Sequence, residues 1–383
     1  MSVTTPQGFV AAGIASGIKT NGNKDLALVV NQGPDLSAAA VFTANRVAAA
    51  PVHYSRTVIA DGQAKAVVLN SGGANACTGK AGYADTVATA ERVADRLGTQ
   101  ASDVLVCSTG LIGERLPMQT LLTGVDRINE QLTTDGGTDA AEAIMTTDTV
   151  AKTASASGTG YSIGGMAKGA GMLAPELATM LVVLTTDAKL SSAQAEEFLN
   201  QAMRVSFNRV DADGCMSTND TVVLMASGAS SVEPDADEFQ ELLDQVTVDL
   251  AKQLVADAEG ASHEIEITVV NAASEEDAEM VARTVSRSAL FKTAIFGNDP
   301  NWGRVVSAVG TTSAEFDPDM LDVTINGVQV CRGCAIGEPR ENVDLSGREV
   351  SVEIDLHAGD HSATLWTIDL THDYVEENSA YSS

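Results

Sequence analysis

The segment from Lys168 to Asp187 combines a lysine, a run of small residues and a threonine that precedes an apolar stretch. Pro175 disfavours helical geometry at the residue before it, so the chain there is expected to be extended or turning. Thr179 then leads into the strand-like sequence MLVVL. Small residues let a backbone pass close to other groups and adopt unusual dihedral angles. Composition alone therefore favours a tight loop before a core strand.

A second interpretation gives the same segment a chemical role. Cleavage of the Ala178–Thr179 bond would leave a threonine whose α-amine, with an unperturbed pKa of about 7.7–8.0, can take the proton of its own hydroxyl. Such a nucleophile requires no histidine, and none of the five histidines is well placed to serve as a base. The residue pattern by itself does not decide between the loop and the nucleophile.

Other catalytic and cofactor motifs are missing from the sequence. It has no GxSxG elbow, and its glycine-rich stretches fit neither GxGxxG nor GxxxxGK[ST]. Cys331 and Cys334 form one CxxC without a second pair, and no HExxH spacing occurs, so we predict no metal and no bound cofactor. The remaining candidates for cysteine chemistry, Cys77 and Cys107, are interpreted as small buried thiols.

Composition and charge exclude several classes of protein. The 383 residues include 23 Lys and Arg but 52 Asp and Glu, a formal net charge of −29. A surface this acidic repels phosphate backbones and anionic lipids, so we expect neither nucleic-acid nor membrane binding. The longest apolar runs fall far short of the roughly 18 residues that a membrane span needs. The N-terminus lacks the basic region of a secretory signal, and the scattered cysteines favour a reducing, cytoplasmic compartment.

The elements that must position these residues are those of a mixed α/β fold. Short β-like runs are predicted up to about residue 75, followed by a helix that Gly98 ends. A strand over Val104–Cys107 leads into the turn Ser108-Thr109-Gly110, and a Gly/Ser/Thr-rich loop is predicted over Ala154–Gly160. Strands alternate with helices after Thr179. Towards the end of the sequence, the predicted strands follow one another without a long helix between them. This change indicates a smaller β-rich domain over about residues 285–383.

Seven motifs that together span nearly the whole chain carry a resemblance to a known family. They are KGAGMLAPELATMLVVLTTDA (168–188), CSTGLIGERLP (107–117), IMTTDTV (144–150), STNDTV (217–222), DAEG (257–260), FGNDPNWGRV (296–305) and ENSAYSS (377–383). Together they resemble the ornithine acetyltransferases, also called glutamate N-acetyltransferases, and the first motif is similar to the processing site of that family. The sequence departs from the family pattern at Cys215-Met216 and over Cys331–Arg340.

The resemblance implies a self-processing α-β sandwich. Cleavage before Thr179 would give an α chain of residues 1–178 and a β chain of residues 179–383, which stay together and form an α2β2 heterotetramer. Thr179 would take the acetyl group of N2-acetyl-L-ornithine and pass it to L-glutamate in a ping-pong cycle of arginine biosynthesis.

The resemblance also assigns roles to individual residues. Thr109 and Gly110 would form the oxyanion hole, in which a hydroxyl and a backbone N–H face developing negative charge. The substrate would be held by Thr146, Lys168, Thr179, Glu259, Asn378 and Ser383.

Three questions stay open at the level of sequence. No motif decides whether acetyl-CoA also serves as an acetyl donor, which would make the enzyme bifunctional. A related self-processing amidohydrolase or aminopeptidase is an alternative within enzymes. An uncleaved, inactive amino-acid-binding protein is the alternative from another class.

Overall fold

The computed structural model of the chain describes residues 2–172 and 180–380, and these divide into two compact units. The first unit contains the chain up to Asn208 together with Cys215–Asp257, and the second contains Arg209–Gly214 together with the chain from Ala258 onward. Helices and sheets occur in both units, so the mixed α/β class predicted from the sequence is confirmed.

A four-stranded sheet forms one layer of the first unit. Its strands, in spatial order, are β1 (Phe9–Ile14), β2 (Leu26–Asn31), β4 (Ala66–Asn70) and β5 (Val104–Ser108). Every residue of these strands is buried, as their continuous apolar runs predict. Four helices pack against this sheet: α1 (Ala50–Val58), α2 (Gly79–Leu97), α3 (Met118–Asn129) and α4 (Gly137–Ala143). Gly98 ends α2 with a φ of +65°, a left-handed geometry that favours glycine.

A five-stranded sheet forms the second layer of the first unit. Its strands, in spatial order, are β3 (Ala38–Phe42), β9 (Thr221–Ala226), β8 (Leu181–Thr186), β7 (Ser162–Lys168) and β6 (Lys152–Ser157). Side chains of both sheets, such as Leu181 and Leu105, belong to one hydrophobic cluster. Helices α5 (Ser192–Val205) and α6 (Ala236–Ala256) pack against the five-stranded sheet. The two sheets therefore enclose a shared core, with helices packed against each of them.

Two local predictions for the first unit are wrong. The expected loop over Ala154–Gly160 is largely strand β6, which pairs with β7 in antiparallel register. Of its six residues only Thr153 has a strong preference for strands, and pairing with a neighbouring strand overrides this weak signal. Cys77 is exposed rather than buried, whereas Cys107 on β5 is buried as predicted.

The second unit is built on a six-stranded sheet. Its strands, in spatial order, are β13 (Ala335–Ile336), β12 (Val328–Arg332), β11 (Asp322–Ile325), β14 (Glu349–Asp355), β10 (Glu264–Ala272) and β15 (His361–Ile368). Its helices are α7 (Glu275–Ser286), α8 (Ala289–Phe296), α9 (Trp302–Val309) and α10 (His372–Ala380). Because β10 pairs with both β14 and β15, this unit begins near residue 258 rather than near residue 285.

Helix caps in the structure follow the sequence signals. Ser274 accepts a hydrogen bond from the backbone of Asp277 at the start of α7, where acidic residues occupy the first turn. Ser191 and Gln194 form a reciprocal capping box on α5. Over the described residues, no helix has the length and apolar content that crossing a membrane requires.

Candidate active site

The end of β5 forms a tight turn in which Thr109 and Gly110 follow Ser108. Thr109 is buried, donates its N–H to Asn70 O (3.0 Å) and accepts from Gly73 N (3.0 Å) through its carbonyl oxygen. Gly110 has a φ of +129°, and a Cβ atom there would lie 2.8 Å from Gly73 N. Only glycine fits this position without a backbone shift. The turn predicted from the sequence therefore has a fixed and closely packed backbone.

Asn219, two residues before β9, holds this turn. Its side-chain amide donates to Ser108 O (2.8 Å) and to Ala74 O (2.6 Å), and it is almost fully buried. Asn70 adds a hydrogen bond from its amide to Ser108 Oγ (2.6 Å). Buried amides thus connect the turn to β4 and to the segment that precedes β9.

Lys168 ends β7 and lies against the turn. Its side chain is 1% exposed, although a surface position is the ordinary expectation for a lysine. Nζ donates to Thr109 Oγ1 at 3.4 Å, and Nζ lies 4.0 Å from Asp148 Oδ2. An ammonium group can only donate, so Thr109 Oγ1 accepts from Lys168 and keeps its own proton for another acceptor.

Asp148 connects two of the predicted site residues. Its Oδ2 accepts from Thr146 N (2.9 Å), and its Oδ1 accepts from Gly169 N (2.6 Å), next to Lys168. Lys152 donates to the same carboxylate (2.7 Å) and also pairs with Asp257 (2.5 Å). We call Asp148, Lys152, Lys168 and Asp257 the lysine cluster. All four side chains are buried, and their formal charges sum to zero.

The lysine cluster controls the ionisation of Asp148. Burial alone would raise the pKa of this carboxyl, but Lys168 and Lys152 outweigh it and lower the pKa to about 2. Lys19 is a further cation in this region, and it donates to Met145 O (2.6 Å). Burial together with repulsion from Lys168 lowers the pKa of Lys19. Lysine side chains are therefore concentrated beside the Thr109–Gly110 turn, although the protein as a whole is strongly acidic.

The second unit contains two other predicted site residues. Glu259 is buried in the turn after α6, and Asn378 lies on the exposed helix α10. The neighbouring Gly260 packs closely on the start of α10, because a Cβ atom there would lie 2.2 Å from Tyr374 N. Thr371 donates its hydroxyl to Gly260 O. The structure therefore holds the Glu259 turn against the helix that bears Asn378.

Three of the predicted positions, Ala178, Thr179 and Ser383, lie outside the described residues. Next to Thr179 in the sequence, Met180 donates its N–H to Asp220 Oδ1 at 3.0 Å. Sequence analysis missed Asp148, Lys152, Asp220 and Lys19. Lys152 and Asp257 are 105 positions apart, so no local spacing could reveal their contact.

A closely packed glycine turn with an available hydroxyl proton, beside a buried lysine, is an arrangement suited to an enzyme that stabilises negative charge. Comparison with known proteins gives the family. The chain belongs to the ArgJ family, which matches residues 10–383. This confirms the resemblance seen in the sequence motifs.

The similarity to individual relatives extends over the full length. The chain is 62% identical to the arginine biosynthesis bifunctional protein ArgJ of Thermobifida fusca and 61% identical to that of Streptomyces coelicolor, covering 100% of each protein. Among solved structures it is similar to ArgJ of Bacillus halodurans, with 36% identity and a TM-score of 0.50. That match covers 51% of this chain and 97% of the Bacillus halodurans chain.

Proposed function

We propose that the protein transfers an acetyl group from N2-acetyl-L-ornithine to L-glutamate, releasing ornithine and N-acetylglutamate. The observation that carries this proposal is full-length similarity to bifunctional arginine-biosynthesis proteins, in a chain whose buried Thr109–Gly110 turn contacts Lys168. Acyl transfer passes through a tetrahedral oxyanion, and this turn offers two donors to it.

The nucleophile in this proposal is Thr179, freed by self-cleavage of the Ala178–Thr179 bond. The Bacillus halodurans chain supports this, because about half of our chain covers nearly all of it. A solved relative of about half length is what a cleaved precursor would provide. The two products, residues 1–178 and 179–383, would remain associated, and we propose an α2β2 assembly.

In the first half-reaction one bond to the acetyl carbon forms and another breaks. Thr179 Oγ attacks the acetyl carbon while its proton moves to the α-amine of the same residue. The C–N bond to ornithine breaks, and the ammonium returns the proton to the departing amine. Glutamate enters, and its amine takes the acetyl group by the same steps in reverse.

The turn would stabilise the oxyanion in both half-reactions. Lys168 donates to Thr109 Oγ1, which leaves the threonine proton free for the oxyanion, and Gly110 supplies a backbone N–H. A preorganised donor of this kind contributes about 3–4 kcal/mol to transition-state stabilisation.

Substrate binding would use the other residues that the family resemblance singles out. We assign the substrate α-carboxylate to Lys168, a polar contact to Thr146, and further substrate contacts to Glu259, Asn378 and Ser383. The reaction needs no metal or resident cofactor. We further propose that acetyl-CoA serves as a second donor, which accounts for a bifunctional relative, and that the enzyme works in the cytoplasm.

The experiment compares the wild type with Thr179→Ala and the control Thr179→Ser. On a denaturing gel we expect two bands near half size for the wild type and for Thr179→Ser, and one full-length band for Thr179→Ala. With acetylornithine and glutamate, the two cleaved proteins should form N-acetylglutamate and Thr179→Ala should not. One uncleaved wild-type band without transfer would contradict the mechanism.

Two further assays separate the alternatives. Release of acetate from acetylornithine, without N-acetylglutamate, would favour the amidohydrolase. Incubation of the cleaved enzyme with acetyl-CoA and glutamate tests the second donor, and N-acetylglutamate is the expected product.

A further inference from the structure

Asp220 is a buried acid that the proposed mechanism leaves without a role. It directly precedes β9, and its side chain has no solvent exposure. Oδ1 accepts the N–H of Met180 at 3.0 Å. Met180 directly follows Thr179 in the sequence, so Asp220 holds the chain one residue after the proposed nucleophile.

The second oxygen of this carboxyl has no hydrogen-bond partner among the described residues. The hydroxyl groups of Thr43 and Ser217 lie close enough to lower the pKa of this carboxyl, but neither forms a hydrogen bond to Oδ2. Thr43 donates its proton to Ser217 O (2.7 Å), and Ser217 Oγ accepts from Asn219 N (3.1 Å). A buried polar atom without a partner destabilises the fold, so this oxygen calls for an explanation.

Self-cleavage would create a donor at this place. In the intact chain the nitrogen of residue 179 is an amide with a single hydrogen. Cleavage converts it to an α-amine, which carries three hydrogens when protonated. Consecutive Cα atoms are only about 3.8 Å apart, so the new amine arises next to the group that Asp220 already holds.

Building on the proposed function, we infer that Asp220 is the positioning residue for the catalytic base. After cleavage its Oδ2 accepts a hydrogen bond from the α-amino group of Thr179, and it stabilises the ammonium that forms when this group takes the hydroxyl proton. The three groups then act as nucleophile, base and orienting acid.

The proton balance leaves Asp220 unchanged through the cycle. The hydroxyl proton moves to the α-amine as the bond from Oγ to the acetyl carbon forms. It moves on to the ornithine amine as the C–N bond breaks. Asp220 accepts a hydrogen bond throughout and never takes the proton.

The surroundings of Asp220 favour this role. Burial raises the pKa of its carboxyl well above the usual range, while the Met180 N–H, Lys168 and the two nearby hydroxyl groups act in the opposite direction. Lys168 on β7 is the charged neighbour, with Asp148 beyond it. Cys107 on β5, beside Thr221, stays a neutral thiol because burial raises its pKa to about 12. A new ammonium would stabilise the Asp220 carboxylate and satisfy its second oxygen.

The test compares Asp220→Asn with the matched control Asp187→Asn. Asp187 is a buried acid at the other end of β8, where its carboxylate accepts from Ser162 N (2.7 Å) and Gln7 N (3.0 Å). Both substitutions remove a charge while keeping an oxygen that can accept a backbone hydrogen bond. Each protein is expressed as the full chain and allowed to cleave.

We expect Asp220→Asn to fold and to cleave, with kcat reduced about 100-fold or more. The acidic limb of its kcat/KM profile should move to lower pH, because a carboxylate neighbour raises the pKa of an amine and the amide does not. Asp187→Asn should keep both its rate and its profile. A merely structural effect would lower the amount of active protein without moving the limb.

Two outcomes would overturn the inference. One is a cleaved Asp220→Asn enzyme with kcat within roughly threefold of the wild type and an unmoved acidic limb. The other is a folded but uncleaved Asp220→Asn protein, because Asp220 would then act before the amine exists.

A measurement on the wild-type enzyme tests the inference even if the Asp220→Asn variant does not fold. Reductive methylation of the β-chain α-amine is followed by mass spectrometry across a pH series. Pairing with Asp220 predicts a pKa at or above about 8 for this amine, whereas a pKa well below this value would overturn the inference. If the wild type cleaves but forms no N-acetylglutamate, the proposed function fails while this titration still decides the role of Asp220.

Discussion

The two units each contain an aspartate that binds two cations, but the two clusters differ in their access to water. In the first unit, all four side chains of the lysine cluster are buried. In the second unit, Asp211 is fully buried, while its partners Arg287 and Arg283 on or next to α7 are 47% and 19% exposed. We call these three residues the arginine cluster. Water can therefore solvate the cations of one cluster but not those of the other.

The hydrogen-bond partners of each aspartate show which part of the chain its cluster positions. Asp148 accepts from the backbone of Thr146 and Gly169, which places Lys168 beside the Thr109 turn. Asp211 accepts from Gly214 N (3.1 Å) and Arg287 Nε (2.7 Å), which fastens the short segment 209–214 to the end of α7. The first cluster organises a site and the second joins two chain segments.

The same difference appears in the ionisation of the two acids. Lys168 and Lys152 outweigh burial and lower the pKa of Asp148 to about 2. For Asp211 burial outweighs Arg287 and Arg283, so its pKa is raised. Buried cations stabilise a carboxylate more than solvated ones do, which explains the opposite directions.

The largest expected effect is that of Asp148→Asn. The substitution leaves two buried lysines facing one carboxylate, Asp257, and should lower the free energy of unfolding by about 3–5 kcal/mol. It should also reduce kcat/KM for acetyl transfer by about 100-fold, because Lys168 loses the group that orients it. Urea denaturation and the acetylornithine–glutamate assay measure the two effects.

A second substitution separates charge balance from positioning. Asp148→Asn combined with Lys152→Met restores a net charge of zero in the lysine cluster. This double variant should regain most of the lost stability, while kcat/KM stays low. Recovery of both quantities together would mean that Asp148 matters only for charge balance.

A smaller effect on stability is expected when the pH is lowered. Asp148 has a folded pKa of about 2, below its unfolded value of about 3.9, so it contributes about 2 kcal/mol of stability above pH 5. This contribution is lost as the pH falls from about 5 through about 2. The unfolding free energy of the wild type, measured over this range, should therefore fall more steeply than that of Asp148→Asn. Parallel curves would contradict the lowered pKa.

The comparison also shows where sequence analysis was sufficient. The apolar runs of β2, β4 and β5 predicted buried strands, and the STG sequence predicted the turn that contains Thr109 and Gly110. These features depend on neighbouring residues, so a local pattern can reveal them. Lys168 stood out because it lies in a stretch of glycine and alanine within a chain poor in basic residues.

The supporting residues depend on contacts that no local pattern contains. Asp148 and Asp220 are two of 52 acidic residues, and although both lie in motifs of the family resemblance, no residue type or spacing there shows that their side chains are buried. Asp220 meets Met180 because β8 and β9 are parallel neighbours, which depends on the sheet order. Likewise, strand β6 was missed because pairing with β7, rather than its own residues, makes it a strand.

The smallest effect is expected for Asp211→Asn. Arg287 and Arg283 can turn to water when the charge is removed, so the loss of stability should be about 1 kcal/mol, well below that of Asp148→Asn. The amide also removes a carboxylate whose burial is unfavourable, which offsets part of the loss. Because Asp211 fastens a segment and, within the described part of the chain, contacts none of the proposed site residues, the KM values for acetylornithine and glutamate should stay within about twofold. A loss of activity as large as that of Asp148→Asn, in a protein of nearly normal stability, would show that the arginine cluster serves the reaction as well, and the contrast between the two clusters would then fail.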